Sequence, residues 1–252
     1  MLMAVWALAD LHLAFGTPEK KMDVFGEPWI NYTEKIKKNW LNCIQPSDLV
    51  LLPGDISWAI QLEDAVIDLK WIHELPGTKV MIKGNHDYWW RSLTKIEKIL
   101  PPSIHLIQNN AFHWEGYSIG GSRLWDSSAY NFNAYIEFKE NPYAKILLEK
   151  SDKVAESEKI FQRELQRLES SLKNLNPQAS IRIAMTHYPP ISADLKDSAV
   201  SQLLEKYHVN TCLFGHLHNV KKHLPLFGEK NQIRYILTSG DYLDFMPKLI
   251  YS

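Results

Sequence analysis

The stretch Lys83-Gly84-Asn85-His86-Asp87-Tyr88-Trp89-Trp90 follows directly on the apolar run Lys79-Val80-Met81-Ile82. Such a run reads as a buried strand, and the residues after it decide what the strand supports. Asn85, His86 and Asp87 set an amide, an imidazole and a carboxylate side by side at the end of a segment destined for the interior. Left unpaired there, each would cost on the order of 1–3 kcal/mol. They need a common partner, and a cation is the obvious candidate.

Outward from this point, short apolar runs recur at MAVWALA, DLVLLP, SIHLIQ, YSIGG, RIAMTHY, VNTCLFG and IRYILTSG. All read as strands, most of them buried on both faces. Between the early ones lie helical patterns over Thr33–Ile44, Leu62–Leu75 and Leu93–Leu100, and a longer one over Asp152–Leu175 repeats Phe161, Leu165, Leu168, Leu172 and Leu175. Strand alternating with helix predicts an α/β sandwich with much parallel pairing. The long helix keeps its stripe for only about two heptads, so it is expected to pack on the core and not to form a coiled coil. The least regular part, about 123–150, is expected to be a surface loop, cap or insertion in a single domain spanning 1–252.

The 252 residues are 45% hydrophobic, and 28 basic against 29 acidic side chains leave a formal charge of -1. That balance gives no overall footprint for nucleic acid or an anionic membrane. The opening MLMAVWALAD is apolar for nine residues, lacks a basic start and ends at Asp10, so neither a signal peptide nor a membrane span is expected, and the cytoplasm is the expected compartment. Cys43 and Cys212 stand far apart and read as two small buried side chains.

Residues with ligand chemistry fall at the ends of five strands: Asp10 and His12, Asp55, Asn85 and His86, His187, and His216 with His218. In open α/β sheets, the carboxyl ends of strands are where side chains from separate segments converge. In extended chain, residues i and i+2 point the same way, so Asp10-Leu11-His12 and His216-Leu217-His218 each aim two donors at one place. Two carboxylates (Asp10, Asp55), the Asn85 amide and four imidazoles (His12, His187, His216, His218) make more donors than one catalytic zinc takes from a protein. Two metals sharing one carboxylate fit better. The mixture of nitrogen and oxygen suits manganese, iron or zinc and argues against an all-oxygen magnesium or calcium cage.

The ordered series DLH (Asp10–His12), GD (Gly54, Asp55), GNHD (Gly84–Asp87), an isolated His187 and GHLH (Gly215–His218) resembles the calcineurin-like metallophosphoesterase superfamily. The resemblance implies a four-layer α/β/β/α sandwich of two mixed sheets flanked by helices. It also implies that Asp10, His12 and His218 bind one metal, that Asn85, His187 and His216 bind the other, and that Asp55 bridges. The implied chemistry is hydrolysis of a phosphate ester by a metal-bridging hydroxide. His86, left without a metal, is then expected to protonate the departing oxygen as general acid, with Asp87 beside it holding the imidazole or raising its pKa. The second motif continues Gly54-Asp55-Ile56-Ser57-Trp58 and so lacks both the Asp-Arg-Gly of serine/threonine protein phosphatases and the tyrosine ligand of purple acid phosphatases.

A small-molecule phosphate ester is therefore the expected substrate. A nuclease or nucleotide phosphodiesterase, and a catalytically silent binding scaffold on the same fold, are the alternatives; near-zero charge disfavours the first, and the intact His86 and ligand set the second. Arg123, after a glycine pair, could grip a phosphate or stand as a solvated loop residue. Tyr88, Trp89 and Trp90 read as core packing with a stacking wall as the second reading. His73, His105, His113, His208 and His223 read as structural. Oligomeric state is not legible.

Overall fold

In the computed structural model, which describes residues 3–127, 129–137 and 151–252, the apolar runs become short strands that sort into two sheets. β1 (Val5–Ala7), β2 (Leu49–Leu52), β3 (Thr78–Met81) and β4 (Ile104–Leu106) lie side by side and parallel in the first sheet. β5 (Phe112–Trp114), β6 (Tyr117–Ser122), β7 (Ile181–Thr186), β8 (Thr211–Phe214), β9 (Gly228–Lys230) and β10 (Ile233–Leu237) build the second, in the order β5-β6-β7-β8-β10-β9. Its edge strands β5 and β9 are antiparallel to their neighbours. β11 (Lys248–Tyr251) returns to the first sheet, antiparallel to β1, so both sheets are mixed.

The period of two in the strands sorts side chains between two cores. Leu49 and Leu51 of β2 join Val5, Ala7 and Val80 in facing Ile119, Ile183, Met185 and Leu213 of the second sheet, while Val50 and Leu52 turn the other way. There they meet the apolar faces of α1 (Tyr32–Cys43), α2 (Leu62–Glu74) and α3 (Leu93–Glu97), through Ile36, Trp40, Leu69, Ile72 and Ile96. On the far side, α4 (Ser151–Leu172) and α5 (Ala199–Lys206) lay Phe161, Leu168, Leu172, Val200 and Leu204 on Ala184, Cys212 and Phe214. This is the expected four-layer α/β/β/α arrangement. The stripe on α4 is used within the chain, as its short heptad run predicts, and Cys43 and Cys212 are both free thiols.

Differences from the sequence reading fall at the margins. β5, β9, β11 and α5 carry no strong periodic signal: the strands are three or four residues long and edge-placed, and β9 is Gly-Glu-Lys. α4 ends at Leu172, short of the expected Leu175, ahead of Asn176-Pro177; Leu175 still packs in the core from the turn beyond. Of the expected cap at about 123–150, residues 128 and 138–150 lie outside the described residues. The remainder holds one 3-10 turn at Asn133–Tyr135 and an isolated bridge from Ile136 to Val220. Among the described residues no helix is long and apolar enough to cross a membrane.

One buried carboxylate fastens the helical layer to the strand ends. Asp68 of α2, with no exposed surface, accepts from the Phe15 N–H at 2.8 Å and from the Ser57 hydroxyl. Phe15 lies in the loop after β1 and Ser57 in the loop after β2, so a single side chain ties both to α2. Asp68→Ala would leave the buried Ser57 hydroxyl and the part-buried Phe15 N–H without their acceptor, at about 1–3 kcal/mol each. The expected outcome is a loss of about 2–4 kcal/mol in unfolding free energy, read as a lower urea midpoint. A loss under about 0.5 kcal/mol would show that the two loops do not depend on this tie.

Candidate metal centre

The strands stop before the ligands begin, yet their pairing continues. Asp10 N–H donates to the Gly54 carbonyl, His12 N–H to the Asp55 carbonyl and Leu13 N–H to the Ile56 carbonyl, each at 3.0 Å, so the first two motifs run side by side beyond the sheet. Asp10, His12, Asp55 and His216 have φ of 57°, 43°, 52° and 72°. Asp and His tolerate this left-handed region better than bulky or branched residues do, and each such turn redirects a side chain out of the strand direction. Two motif glycines are required by close approach: a Cβ on Gly84 would lie 2.1 Å from Asp55 Oδ1, and one on Gly215 would lie 2.4 Å from Asp10 Oδ2.

All seven expected donors come together, and their atoms form two groups. In one, His12 Nε2 and His218 Nε2 are 3.3 Å apart, with Asp10 Oδ1 3.8 Å from the latter and Asp55 Oδ2 3.6 Å from the former. In the other, Asn85 Oδ1 lies 2.7 Å from His187 Nε2 and 3.1 Å from His216 Nδ1, with Asp55 Oδ2 3.4 Å from His187 Nε2. Asp55 Oδ2 belongs to both. Asp10 also borders both, since it groups with Asp55 and His187 as well as with His12 and His218. It approaches His187 at Nδ1, however, 3.9 Å away, and that nitrogen already donates to the Pro53 carbonyl at 3.0 Å. The Pro53 bond leaves His187 Nε2 turned toward Asn85 Oδ1 and Asp55 Oδ2. His218 is oriented in the same way, its Nδ1 bonded to Asp241 Oδ1 at 2.9 Å.

The donors fit divalent cations on the ground of what they lack. Asp55 Oδ2 is a buried carboxylate oxygen that accepts no hydrogen bond, and His12 Nε2 and His218 Nε2 bring two ring nitrogens against each other. A cation satisfies both. Burial alone would lower the pKa of His187, but the Asp55 and Asp10 carboxylates raise it to about 9; for His218 the same burial is outweighed by Asp241 and Asp10, again to about 9. Burial holds His12 down to about 3 and pushes Asp10 up to about 6. Asp55 is held well below the usual carboxylate range because the neighbouring imidazoles, His187 first, outweigh its burial. The His216 and His218 side chains keep 26% and 29% exposure while those of Asp10 and His187 have none, so the centre opens toward solvent on the GHLH side.

Asp87 does not support His86, contrary to the sequence expectation. Its carboxylate accepts from the Ile56 and Ser57 N–H groups at 2.9 and 3.1 Å, from Gly84 N–H at 2.7 Å and from Trp89 Nε1 at 3.0 Å. Four donors from two loops occupy it, and the His86 Nδ1 atom is buried without a partner. What holds the His86 ring is aromatic: Trp58 at 4.3 Å between centroids, His12 at 5.6 Å and Tyr88 at 6.1 Å. Trp58, in the place of the tyrosine ligand of purple acid phosphatases, also stacks on His12 at 5.0 Å. Trp89 and Trp90 are core residues and Tyr88 is half exposed, so the aromatic triplet divides between its two readings. Arg123 is not a solvated loop residue: it is 15% exposed, lies 4.6 Å above the Trp125 ring and reaches Glu164. Asp241 is the partner that sequence reasoning missed, an isolated Asp with no second donor at i+2 to mark it.

A sequence model described as calcineurin-like phosphoesterase matches residues 3–220. No curated protein matches the chain. Among solved structures, a protein of unknown function from Aquifex aeolicus is 15% identical with a TM-score of 0.49, over 98% of this chain and 96% of that one. A phosphopantetheinyl hydrolase from Mycobacterium tuberculosis is 13% identical with a TM-score of 0.49, over 98% and 95% of the two chains.

Two outcomes follow from the geometry. His187 and His218 carry protons below about 9 in the metal-free chain, and their Nε2 atoms must lose them to bind a cation. Manganese binding at pH 7 should therefore release about two protons, and apparent affinity should climb with pH and level off near pH 9. Calorimetric titration in two buffers of different ionisation heat counts the protons, and a count of zero would contradict the assignment. Asp87→Ala should lower both stability and manganese content because it unties the two ligand loops, whereas His86→Ala should keep the metal. Equal metal content in the two variants would return Asp87 to a role at His86.

Proposed function

The chain belongs to the calcineurin-like phosphoesterase family, whose chemistry is metal-dependent phosphoester hydrolysis, and on that footing we propose that it hydrolyses a small-molecule phosphate ester with two divalent cations. The observation that carries the number two is Asp55 Oδ2, unpaired and within 3.6 Å of a ring nitrogen in each ligand group. Asp10, His12 and His218 would hold one ion, Asn85, His187 and His216 the other, and Asp55 both. The mixed nitrogen and oxygen donors suit manganese, iron or zinc. When bound, such a pair supplies Lewis acidity toward the phosphoryl oxygens and lowers the pKa of water.

The chain's own residues do the rest. Pro53 and Asp241 fix the tautomers of His187 and His218, keeping each Nε2 turned inward. A hollow of about 540 Å³ beside His216, walled by Trp125, Tyr130, Phe132 and Tyr188, takes the organic part of the ester. Tyr188 packs its tilted ring against His216, 4.0 Å between centroids, and so joins that wall to the candidate ligands. His86 is the proton donor to the departing oxygen. Burial lowers its pKa, and a phosphoryl dianion placed beside it would draw the proton back. The near-zero net charge and a hollow of small-molecule size beside His216 favour this substrate class over nucleic acid. The same reading puts the protein in the cytoplasm as one domain, 1–252, with a cap or insertion at about 123–150.

A general acid matters in proportion to the basicity of the leaving group. His86→Asn should depress turnover of an alkyl phosphate ester by about a hundred- to ten-thousand-fold and that of a nitrophenyl ester far less. Manganese content, measured in parallel, should stay at the parent value. Equal losses on the two esters would make His86 a phosphate contact, and a manganese-loaded parent that hydrolyses no member of a phosphate-ester panel would overturn the hydrolase reading.

A further inference from the structure

A second hollow, of about 230 Å³, opens where the ends of β3, β4 and β6 meet α4. Its lining includes Lys83, Arg91, Arg123, Arg163 and Arg167 and a single acidic residue, Glu164. In a chain of net charge -1, that is a concentrated positive site. Glu164 cannot balance it. The Arg123, Arg163 and Arg167 contacts to Glu164 all fall on one oxygen, Oε1, at 3.4, 3.5 and 2.7 Å. Among the described residues, Lys83 and Arg91 donate only to neutral carbonyls, those of Trp90 at 2.8 Å and Tyr88 at 3.3 Å. Holding one buried carboxylate would take one guanidinium; three of them, with an ammonium and a fourth guanidinium alongside, repel one another unless a further anion sits among them.

The geometry also prepares the site. Arg123 is braced over the Trp125 ring at 4.6 Å, and its Nε–H is buried with no acceptor. A fixed, planar guanidinium with a free N–H is matched to an oxyanion. The hollow adjoins the metal centre without using its ligands: Lys83 stands two residues before Asn85, and the Arg123 carbonyl accepts from His187 N–H at 3.1 Å. Its volume lies below the roughly 300–1,000 Å³ that whole small-molecule ligands occupy, so it fits one anionic group.

We propose that this hollow is a binding site for a phosphate-class oxyanion, either a second, non-reacting phosphate of the substrate or a free anion. Binding itself is independent of the hydrolase reading; only the substrate-borne form rests on it. Arg91, Arg163 and Arg167 are exposed, which makes them safe to change. Sulfate, titrated against chloride at constant ionic strength, is the probe, and the full chain is kept metal-free so that no bound cation takes the anion. The parent should bind sulfate saturably, and Arg163→Gln/Arg167→Gln should bind it at least about tenfold more weakly. Arg91→Gln, which leaves the Glu164 contacts alone, should also weaken binding severalfold and guards against a folding defect in the double variant. Two further arms use the manganese-loaded enzyme. A fall of about tenfold in kcat/KM for an alkyl bisphosphate relative to the monophosphate in Arg91→Gln would assign the anion to the substrate. An unchanged ratio with sulfate binding still weakened would assign it to a free anion. An enzyme that hydrolyses neither ester yet binds sulfate through these arginines sustains the site while removing the hydrolase reading. Sulfate indistinguishable from chloride in the parent, or bound equally by parent and both variants, overturns the proposal.

Discussion

A buried carboxylate oxygen with no hydrogen to accept sets the terms for the strand ends around it. Asp55 Oδ1 takes the His86 N–H at 2.8 Å, while Oδ2 has only the ring nitrogens of His187 and His12 near it, at 3.4 and 3.6 Å. The surrounding imidazoles keep the group ionised in spite of its burial, and in return the carboxylates keep His187 and His218 protonated to about 9. Positive charge is thus required at this point whether protons or metal ions supply it. Removing water from such a cluster is tolerable only because charge of both signs arrives together.

That demand explains why the ligand loops are built against local preference. Four of the seven donors sit on left-handed backbone, a conformation costing non-glycine residues on the order of 1–2 kcal/mol each. The surroundings over-determine it: the ladder between the first two motif loops continues past the sheet, and two buried carboxylates tie the loops from behind. Asp87 joins the loop after β2 to the loop after β3, and Asp68 joins the loops after β1 and β2 to α2. An aspartate after His86 is therefore needed for the frame and not for the imidazole beside it in sequence.

Much of this was legible because the donors stand in short ordered motifs at strand ends, where alternation and i, i+2 spacing identify both the layer order and the crevice. What was not legible depends on contacts between distant segments. Asp241 meets His218 across 23 residues, and Glu164 meets Arg123 across 41, with nothing in either local pattern to mark the pairing. The same limit hid β11, which pairs with β1 from the other end of the chain. It also produced the misreading of Asp87: adjacency to His86 suggested a partnership, but the turn sends the two side chains to different neighbours.

The environment of His86 follows from that turn and bears on the proposed proton transfer. A carboxylate at Nδ1 would keep the ring charged at neutral pH regardless of what occupied the site. Trp58, His12 and Tyr88 instead surround it with rings, and burial lowers its pKa. A neutral imidazole adds no repulsion to cations gathering at the His12 and His218 nitrogens a few ångströms away. In the proposed reaction the proton is then favoured only once a phosphoryl group has brought negative charge next to the ring. Such an arrangement reconciles a proton donor with a neighbouring cation site, which a permanently charged His86 would oppose.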